Sequence, residues 1–252
     1  LDFKQNYSKI LKWTINNPNK FWSSIWDFAD VKGIKNEKVY KSKVLFKNKF
    51  LVNSKLNFAE NLLSKNDHSK AITFISENGY RKVRTWKDLN LNVNKISNFF
   101  KKINLKKNHR VAAYLPNLIE TVEAFLATTS IGAIWSSCSP DFGVDGVIER
   151  FKQIKPKILI IADRYYYNGK EINIIKRLPA ILKKIKSIKN IIIINYPGKN
   201  YLKFNKINNV KLSLWKKIIK NKTKKIEFIK FNFEHNLAIL YSSGTTGKPK
   251  CI

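Results

Sequence analysis

The sequence predicts an α/β fold, a mostly parallel sheet flanked by helices, with a helical extension at its amino-terminal end. Three observations carry this. From Arg110 onward, short apolar runs alternate with longer amphipathic ones, the rhythm of strands joined by crossover helices. Two of the apolar runs, "KILIIAD" (Lys157 to Asp163) and "NIIIIN" (Asn190 to Asn195), lack the polar alternation of a half-exposed strand, so they read as strands covered on both faces. In "KFWSSIWDFADV" (Lys20 to Val31), Phe21, Trp22, Ile25, Trp26 and Phe28 recur at helical spacings, which places an amphipathic helix packed on a larger body.

The elements follow in order. Residues 1–66, rich in Trp, Phe and Asn, form the helical extension, and 67–252 the α/β domain. "AITFISENGYRKVRTW" contains two strand-like runs around Asn78-Gly79, a hairpin signal. Thr85 caps the next helix, "WKDLNLNVNKISNFFKK", with Asp88 in the capping-box position. "RVAAYL" is a strand; Asn117 and Glu120 open the helix "LIETVEAFLATTS", and Gly132 ends it. "AIWSS" is a strand, "GVDGVIERFKQI" a helix, "KILIIAD" a strand, "EINIIKRLPAILKKI" a helix interrupted at Pro179, and "NIIIIN" a strand. The Lys/Asn-rich stretch 199–230 reads as surface connection with a helix at Trp215, and "LAILY" (Leu237 to Tyr241) is the last strand.

Composition bounds the function. A chain of 252 residues with 44% apolar and 13% aromatic residues builds a packed core and is not disordered. The net charge of +32 raises nucleic-acid binding as one reading. Against it, only six of the 49 basic residues are Arg, the residue that reads base edges, and the lysines are spread along the chain beside Asn and Ile, as in proteins from A+T-rich genomes. No zinc-finger, helicase or RNP-like stretch accompanies the charge. Two cysteines, Cys138 and Cys251, make no disulfide framework, and no apolar run reaches membrane-spanning length, so the expected setting is cytoplasmic. The chain has no Met, not even at position 1, and the start of the reading frame is expected to lie upstream.

The stretch "YSSGTTGKPK" (Tyr241 to Lys250) carries the chemistry. Glycines let backbone N–H groups approach an anion, hydroxyls add donors and lysines add charge, so a phosphate group is the natural guest. A polar surface turn is the plain alternative. It is not a Walker A loop, because Ser242 stands where that motif needs its first Gly, and Pro249 where it needs Ser or Thr.

"SSGTTGKPK" resembles the signature of the adenylate-forming superfamily, which includes the acyl-CoA synthetases. The resemblance implies that Ser242, Ser243, Thr245 and Thr246 donate hydroxyls and backbone N–H groups to the β- and γ-phosphates of ATP. Gly244 and Gly247 would allow the close approach, and Lys248 and Lys250 would neutralise the leaving pyrophosphate. Lys250, Thr245 and Thr246 are the residues it implies act directly in adenylation. Further stretches resemble the acetoacetate–CoA ligase branch: "FWSSIWDF", "LNFAENLL", "YYYNGK" and the segment from Val111 to Leu159 containing "WSSCSPDFG". That branch implies the substrates acetoacetate, ATP and CoA, with Mg²⁺ accompanying the nucleotide. It implies the large amino-terminal domain of an adenylate-forming enzyme, ending just after the phosphate loop. The acyl pocket, the Mg²⁺ ligands and the mobile domain are then expected beyond Ile252, and these residues alone are not expected to turn over. Gly169 and Lys170 in "YNGK" stand where the related acetyl-CoA synthetases hold the CoA nucleotide, although Tyr167 replaces a common Arg. Their other reading is a helix-entry turn with a solvated Lys.

Other candidates are weaker. Cys138 lacks a nucleophile elbow, and His68, His109 and His235 have no evident pairing, so a structural thiol is expected. Asp141, Asp145 and Glu149 read as capping and solvating the helix from Gly143, with acidic ligands as the alternative. Two further functions are compatible with the sequence. One is a ligase for another short acid such as acetate or propionate; the other is a basic nucleic-acid-binding protein.

Overall fold

The computed structural model describes residues 6–38, 48–200, 209–242 and 247–252. Two helices come first, α1 (Tyr7–Asn16) and α2 (Pro18–Phe28), the second starting on Pro18, whose missing N–H costs nothing in a first turn. Trp26 is buried as its spacing requires, but Phe28 is 90% exposed, so the apolar face of α2 is narrower than the aromatic pattern implies. The short strands β1 (Gly33–Ile34) and β2 (Lys55–Leu56) depart from the all-helical extension that the sequence predicts. Asn57, fully buried, then caps α3 (Phe58–Leu62) and donates from Nδ2 to the carbonyls of Ser130 and Ile229, each at 2.9 Å. Nothing local in the sequence announces these long-range bonds.

Strands β3 (Lys70–Ile75) and β4 (Arg81–Thr85) form the expected hairpin, with Gly79 at φ 78 in its turn. Helix α4 (Trp86–Lys102) comes next, and the Thr85 hydroxyl accepts the Asp88 N–H at 3.1 Å, as the capping pattern predicts. Strand β5 (Arg110–Tyr114) leads to α5 (Ile119–Ser130), which starts one residue later than expected. Its cap is Leu118, whose N–H meets the Thr121 hydroxyl, so Asn117 does not perform the role read from its chemistry. Gly132, at φ 71, turns the chain out of α5, and a Cβ there would stand 2.5 Å from the Phe231 ring.

The series continues with β6 (Ile134–Cys138), α6 (Val144–Ile154) and β7 (Ile158–Ala162). The expected interrupted helix is instead a hairpin of β8 (Arg164–Tyr167) and β9 (Lys170–Asn173), a 3₁₀ turn over Ile175–Arg177, and α7 (Leu178–Lys184). Pro179 sits in the first turn of α7, where it starts a helix and does not break one. Strand β10 (Asn190–Ile194) agrees with expectation; β11 (Lys211–Leu214), just before α8 (Trp215–Lys220), does not, because its stretch reads as surface connection. Strand β12 (Phe231–Asn232) pairs with β2, and β13 (Tyr241–Ser242) with β14 (Lys250–Cys251).

The main sheet has the order β11-β10-β7-β5-β6 and every pairing in it is parallel. All five residues of β7 are buried, the consequence of cover on both faces. Each isoleucine withdrawn from water there contributes roughly 1.5–3 kcal/mol. The strand order sets the helix positions. The connection from β5 to β6 runs one way across the sheet, while those from β6 to β7 and from β7 to β10 run the other. Right-handed crossovers therefore place α5 on one face, and α6 and α7 on the opposite one. Where neighbouring strands send their connections to opposite faces, a crevice opens at their carboxyl ends.

Candidate functional site at the carboxyl ends of the strands

The "LAILY" run lies along the outer edge of β6. Trp135 donates to the Leu237 carbonyl at 3.1 Å, and Ile239 donates to the Trp135 carbonyl at 2.8 Å, giving a single parallel bridge between Trp135 and Ala238. The expected strand is thus a bridge that continues into β13. Leu240 and Ile252 exchange backbone bonds of 3.0 and 2.9 Å, and Ser242 pairs with Lys250. The glycine- and hydroxyl-rich stretch is therefore closed at its base by an antiparallel ladder.

Of the residues expected to contact phosphates, Ser242 lies in β13 and is half-buried, Gly247 holds φ 80 with open space around it, and Lys248 and Lys250 are exposed. Pro249 between the two lysines is buried. The buried ring anchors the returning strand while both ammonium groups face solvent. Ser243, Gly244, Thr245 and Thr246 lie outside the described residues. Gly169 and Lys170 stand in the β8–β9 turn, not at a helix entry: Asn168 at φ 50 and Gly169 at φ 71 make the two-residue turn that Asn-Gly favours. The Gly169 N–H reaches Glu77 Oε2 at 3.3 Å on the β3–β4 hairpin.

Helix α6 links the loop to the turn that precedes it. Gln153 donates to the Pro249 carbonyl at 3.0 Å and accepts from the Cys251 thiol at 3.5 Å. Three residues earlier, the Arg150 guanidinium lies 3.9 Å from the centre of the Phe142 ring and 5.8 Å from that of Tyr241. The turn carrying Phe142 is held in turn by Arg177, which donates to the Pro140 and Phe142 carbonyls at 2.9 and 3.2 Å and to the Tyr114 hydroxyl. The end of β5, the "SSCSPDFG" turn and the loop base thus form one connected body. Motif reading alone misses Arg150, Gln153 and Arg177. The signal for the two arginines is the rarity of Arg in a chain that otherwise uses Lys.

Burial sets the protonation of this body. It pushes the Tyr241 phenol up to about 12, opposed by the Ser136 hydroxyl, which donates to the phenol oxygen at 3.1 Å, so the phenol is neutral at physiological pH. Burial likewise pushes the Cys138 thiol up to about 12, with Arg150 opposing, which makes it a poor nucleophile and agrees with a structural thiol. Asp145 lies in the first turn of α6 and Asp141 bonds Ser139 at 2.7 Å, while Glu149 is exposed. Among the described residues, no group of three or more His, Cys, Asp or Glu side chains stands together as a metal site. Among the described residues, no helix is long and apolar enough to cross a membrane.

The antiparallel β13–β14 pair lies beside the edge strand of a parallel sheet and rests on α6, within an α/β fold. Residues 61–252 match the family model for the AMP-binding enzyme, and the chain belongs to that family. It is 37% identical to the acetoacetyl-CoA synthetase of Xenopus tropicalis and 36% identical to that of Rhizobium meliloti, covering 98% of this chain and 38% of each relative. It is also 30% identical to the malonamoyl-CoA synthetase of Penicillium aethiopicum, over 98% of this chain and 36% of the relative. The solved acetoacetyl-CoA synthetase of Streptomyces lividans superposes with a TM-score of 0.87 at 26% identity, over 98% of this chain and 38% of that one. The chain thus spans about two fifths of the length of these relatives.

Proposed function

We propose that these residues belong to an ATP-dependent acid–thiol ligase that activates acetoacetate as its adenylate and transfers the acyl group to CoA. The observation that carries this is the "SSGTTGKPK" hairpin on a structure similar throughout to acetoacetyl-CoA synthetases. In the first step a carboxylate oxygen of acetoacetate attacks the α-phosphorus of ATP; the bond to the bridging oxygen breaks and pyrophosphate leaves. In the second, the CoA thiolate attacks the acyl carbon and AMP leaves. Mg²⁺, when bound with ATP, supplies charge neutralisation on the phosphates.

The chain's own contribution is electrostatic. Ser242, Ser243, Thr245 and Thr246, with Gly244 and Gly247, form the donor cradle for the β- and γ-phosphates, and Lys248 and Lys250 offset the negative charge growing on pyrophosphate. Gln153 and the buried Pro249 fix the base of this cradle, so little reorganisation is left for the moment of bond breaking. Gly169 and Lys170 are proposed contacts for the CoA nucleotide. The setting is proposed to be cytoplasmic, with the domain boundary at residue 66 and no specific nucleic-acid partner.

The malonamoyl-CoA relative favours a narrower view of the acid. Malonamate and acetoacetate both place a carbonyl β to the carboxylate and differ in NH₂ against CH₃, whereas acetate and propionate lack that carbonyl. An acid with a β-carbonyl is therefore the proposed substrate class. The test of the loop's role uses the polypeptide that carries these residues at its relatives' length. Lys250→Ala, or Thr245→Val with Thr246→Val, is expected to slow adenylation roughly tenfold to a thousandfold while the unfolding midpoint barely moves. An unchanged adenylation rate would reject the assignment.

A further inference from the structure

The parallel sheet has two ends, and the phosphate hairpin uses only the carboxyl one. At the amino end, where Asn190 begins β10 and Lys211 begins β11, a groove of about 1150 Å³ lies between α4 and the segments flanking β11. Five lysines line it, Lys95, Lys102, Lys189, Lys211 and Lys222, together with the Phe99 ring, and among the described residues no Asp or Glu does. Lys95 spends its ammonium on the Ile219 carbonyl at 2.6 Å. The ammonium groups of the other four have no hydrogen-bond or ion-pair partner among the described residues.

The favourable position of a cation at a helix C-terminus accounts for Lys102 in the last turn of α4. It does not account for Lys189, Lys211 and Lys222, which arrive from three other segments. A smaller cavity of about 210 Å³ shares Lys189 and Asn190 and extends toward Lys157 at the amino end of β7 and His109 at that of β5. His109 is held below its ordinary value, first by burial and then by Lys157, Arg110 and Lys106, as expected inside a positive field.

We propose that this groove binds a small anion carrying several phosphate groups, at a site separate from the phosphate hairpin. The volume is near the upper end of small-molecule sites. Phe99 and the aliphatic side chains beside it offer an apolar wall, and the ammonium groups offer a set of point charges suited to phosphate oxygens. Single-stranded nucleic acid is less well matched, because it needs successive stacking platforms, and Phe99 is the one aromatic ring lining the groove among the described residues.

The experiment is calorimetric titration of the full chain with inorganic tripolyphosphate at about 100 mM salt, near the ionic strength where exposed charges still act over about 10 Å. The triple variant Lys189→Gln, Lys211→Gln, Lys222→Gln is expected to weaken binding about tenfold. Lys-to-Arg changes at the same three positions are expected to retain it; because the hairpin is itself proposed to hold phosphates, the groove variants and their parent are compared in a Lys248→Gln, Lys250→Gln background, which is expected to keep the groove's share of the binding. Binding should also raise the pH at which His109 titrates by NMR. Three outcomes would overturn the proposal: equal affinity in the triple Gln variant and the parent, loss of all binding in the hairpin variant, or groove-dependent binding of oligodeoxythymidylate where tripolyphosphate does not bind. The hairpin's own role is tested separately by adenylation, so either reading can fail alone.

Discussion

Six of the 49 basic residues are Arg, and five of the six make specific contacts in the fold. Arg84 meets the buried Glu123 at 2.7 Å, Arg110 donates to the Ile154 and Asn108 carbonyls, Arg150 stacks on Phe142, and Arg164 bridges Asp163 and Glu171. Arg177 completes the set at the Tyr114 turn. Arg110 and Arg164 use several donors of a flat fork, and Arg150 offers a flat face to a ring, so in a Lys-rich chain these arginines mark geometry. Charge alone does not reveal them. Cysteine chemistry gives a direct check at this scale. Cys138 is buried with its thiol pushed up to about 12, whereas Cys251 is exposed. Brief native alkylation at pH 8 and subsequent peptide mass spectrometry are expected to find Cys251 labelled and Cys138 unmodified until the chain is denatured. Rapid native labelling of Cys138 would contradict the structural role.

Glu123 supplies a pH prediction. Burial raises its carboxyl from 4.5 to about 7, with Arg84 and the Asn92 amide opposing and Glu120 reinforcing. The folded state therefore binds this proton more tightly than the unfolded one between those two values, so its contribution is complete below about pH 4.5 and is lost as pH rises through 7. Glu123→Gln resembles the protonated form and has no such loss. Urea melts at pH 5 and pH 8 should show the variant gaining on the parent as pH rises; a constant difference would reject the assigned shift.

Elements are legible where a short signal decides them. Asn78-Gly79 and the Thr85–Asp88 cap specify the β3–β4 hairpin and the start of α4, and the apolar runs specify β7 and β10. The same Asn-Gly signal at 168–169 is masked by its downstream neighbours, since "EINIIKRL" has apolar residues at helical spacing that outweigh the turn. Strand β11 is hidden by being an edge: among the described residues "KLSL" pairs with β10 alone and has no need of a fully apolar sequence. The two-residue strands β1, β2 and β12 depend on long-range bonds such as those of Asn57, which no local pattern encodes. In the candidate site the motif points to the residues proposed to meet phosphate, but the α6 support comes from tertiary packing. Two variants test these elements. Gly132→Ala forces a side chain into φ 71 and against Phe231, with an expected loss of about 1–3 kcal/mol in chemical denaturation. Gln153→Ala removes both side-chain bonds to the hairpin base, those with the Pro249 carbonyl and the Cys251 thiol, and in the relatives'-length polypeptide should raise KM for ATP roughly fivefold with little change in melting temperature.

At the scale of the whole molecule, the sheet order places the hairpin at the carboxyl ends, joined through α6 to the "WSSCSPDFG" turn, and leaves a lysine-lined groove at the amino ends. The net charge of +32 is spread along the chain and points to no single function. The central claim is that this hairpin serves activation of a β-carbonyl acid. The most direct measurement is exchange of radiolabelled pyrophosphate into ATP by the relatives'-length polypeptide, with acetoacetate, malonamate, acetate and propionate compared at matched concentration. Acetoacetate is expected to support the fastest exchange, malonamate a slower one, and the two acids without a β-carbonyl little above background. Faster exchange with acetate or propionate, or none with any acid, would contradict the account.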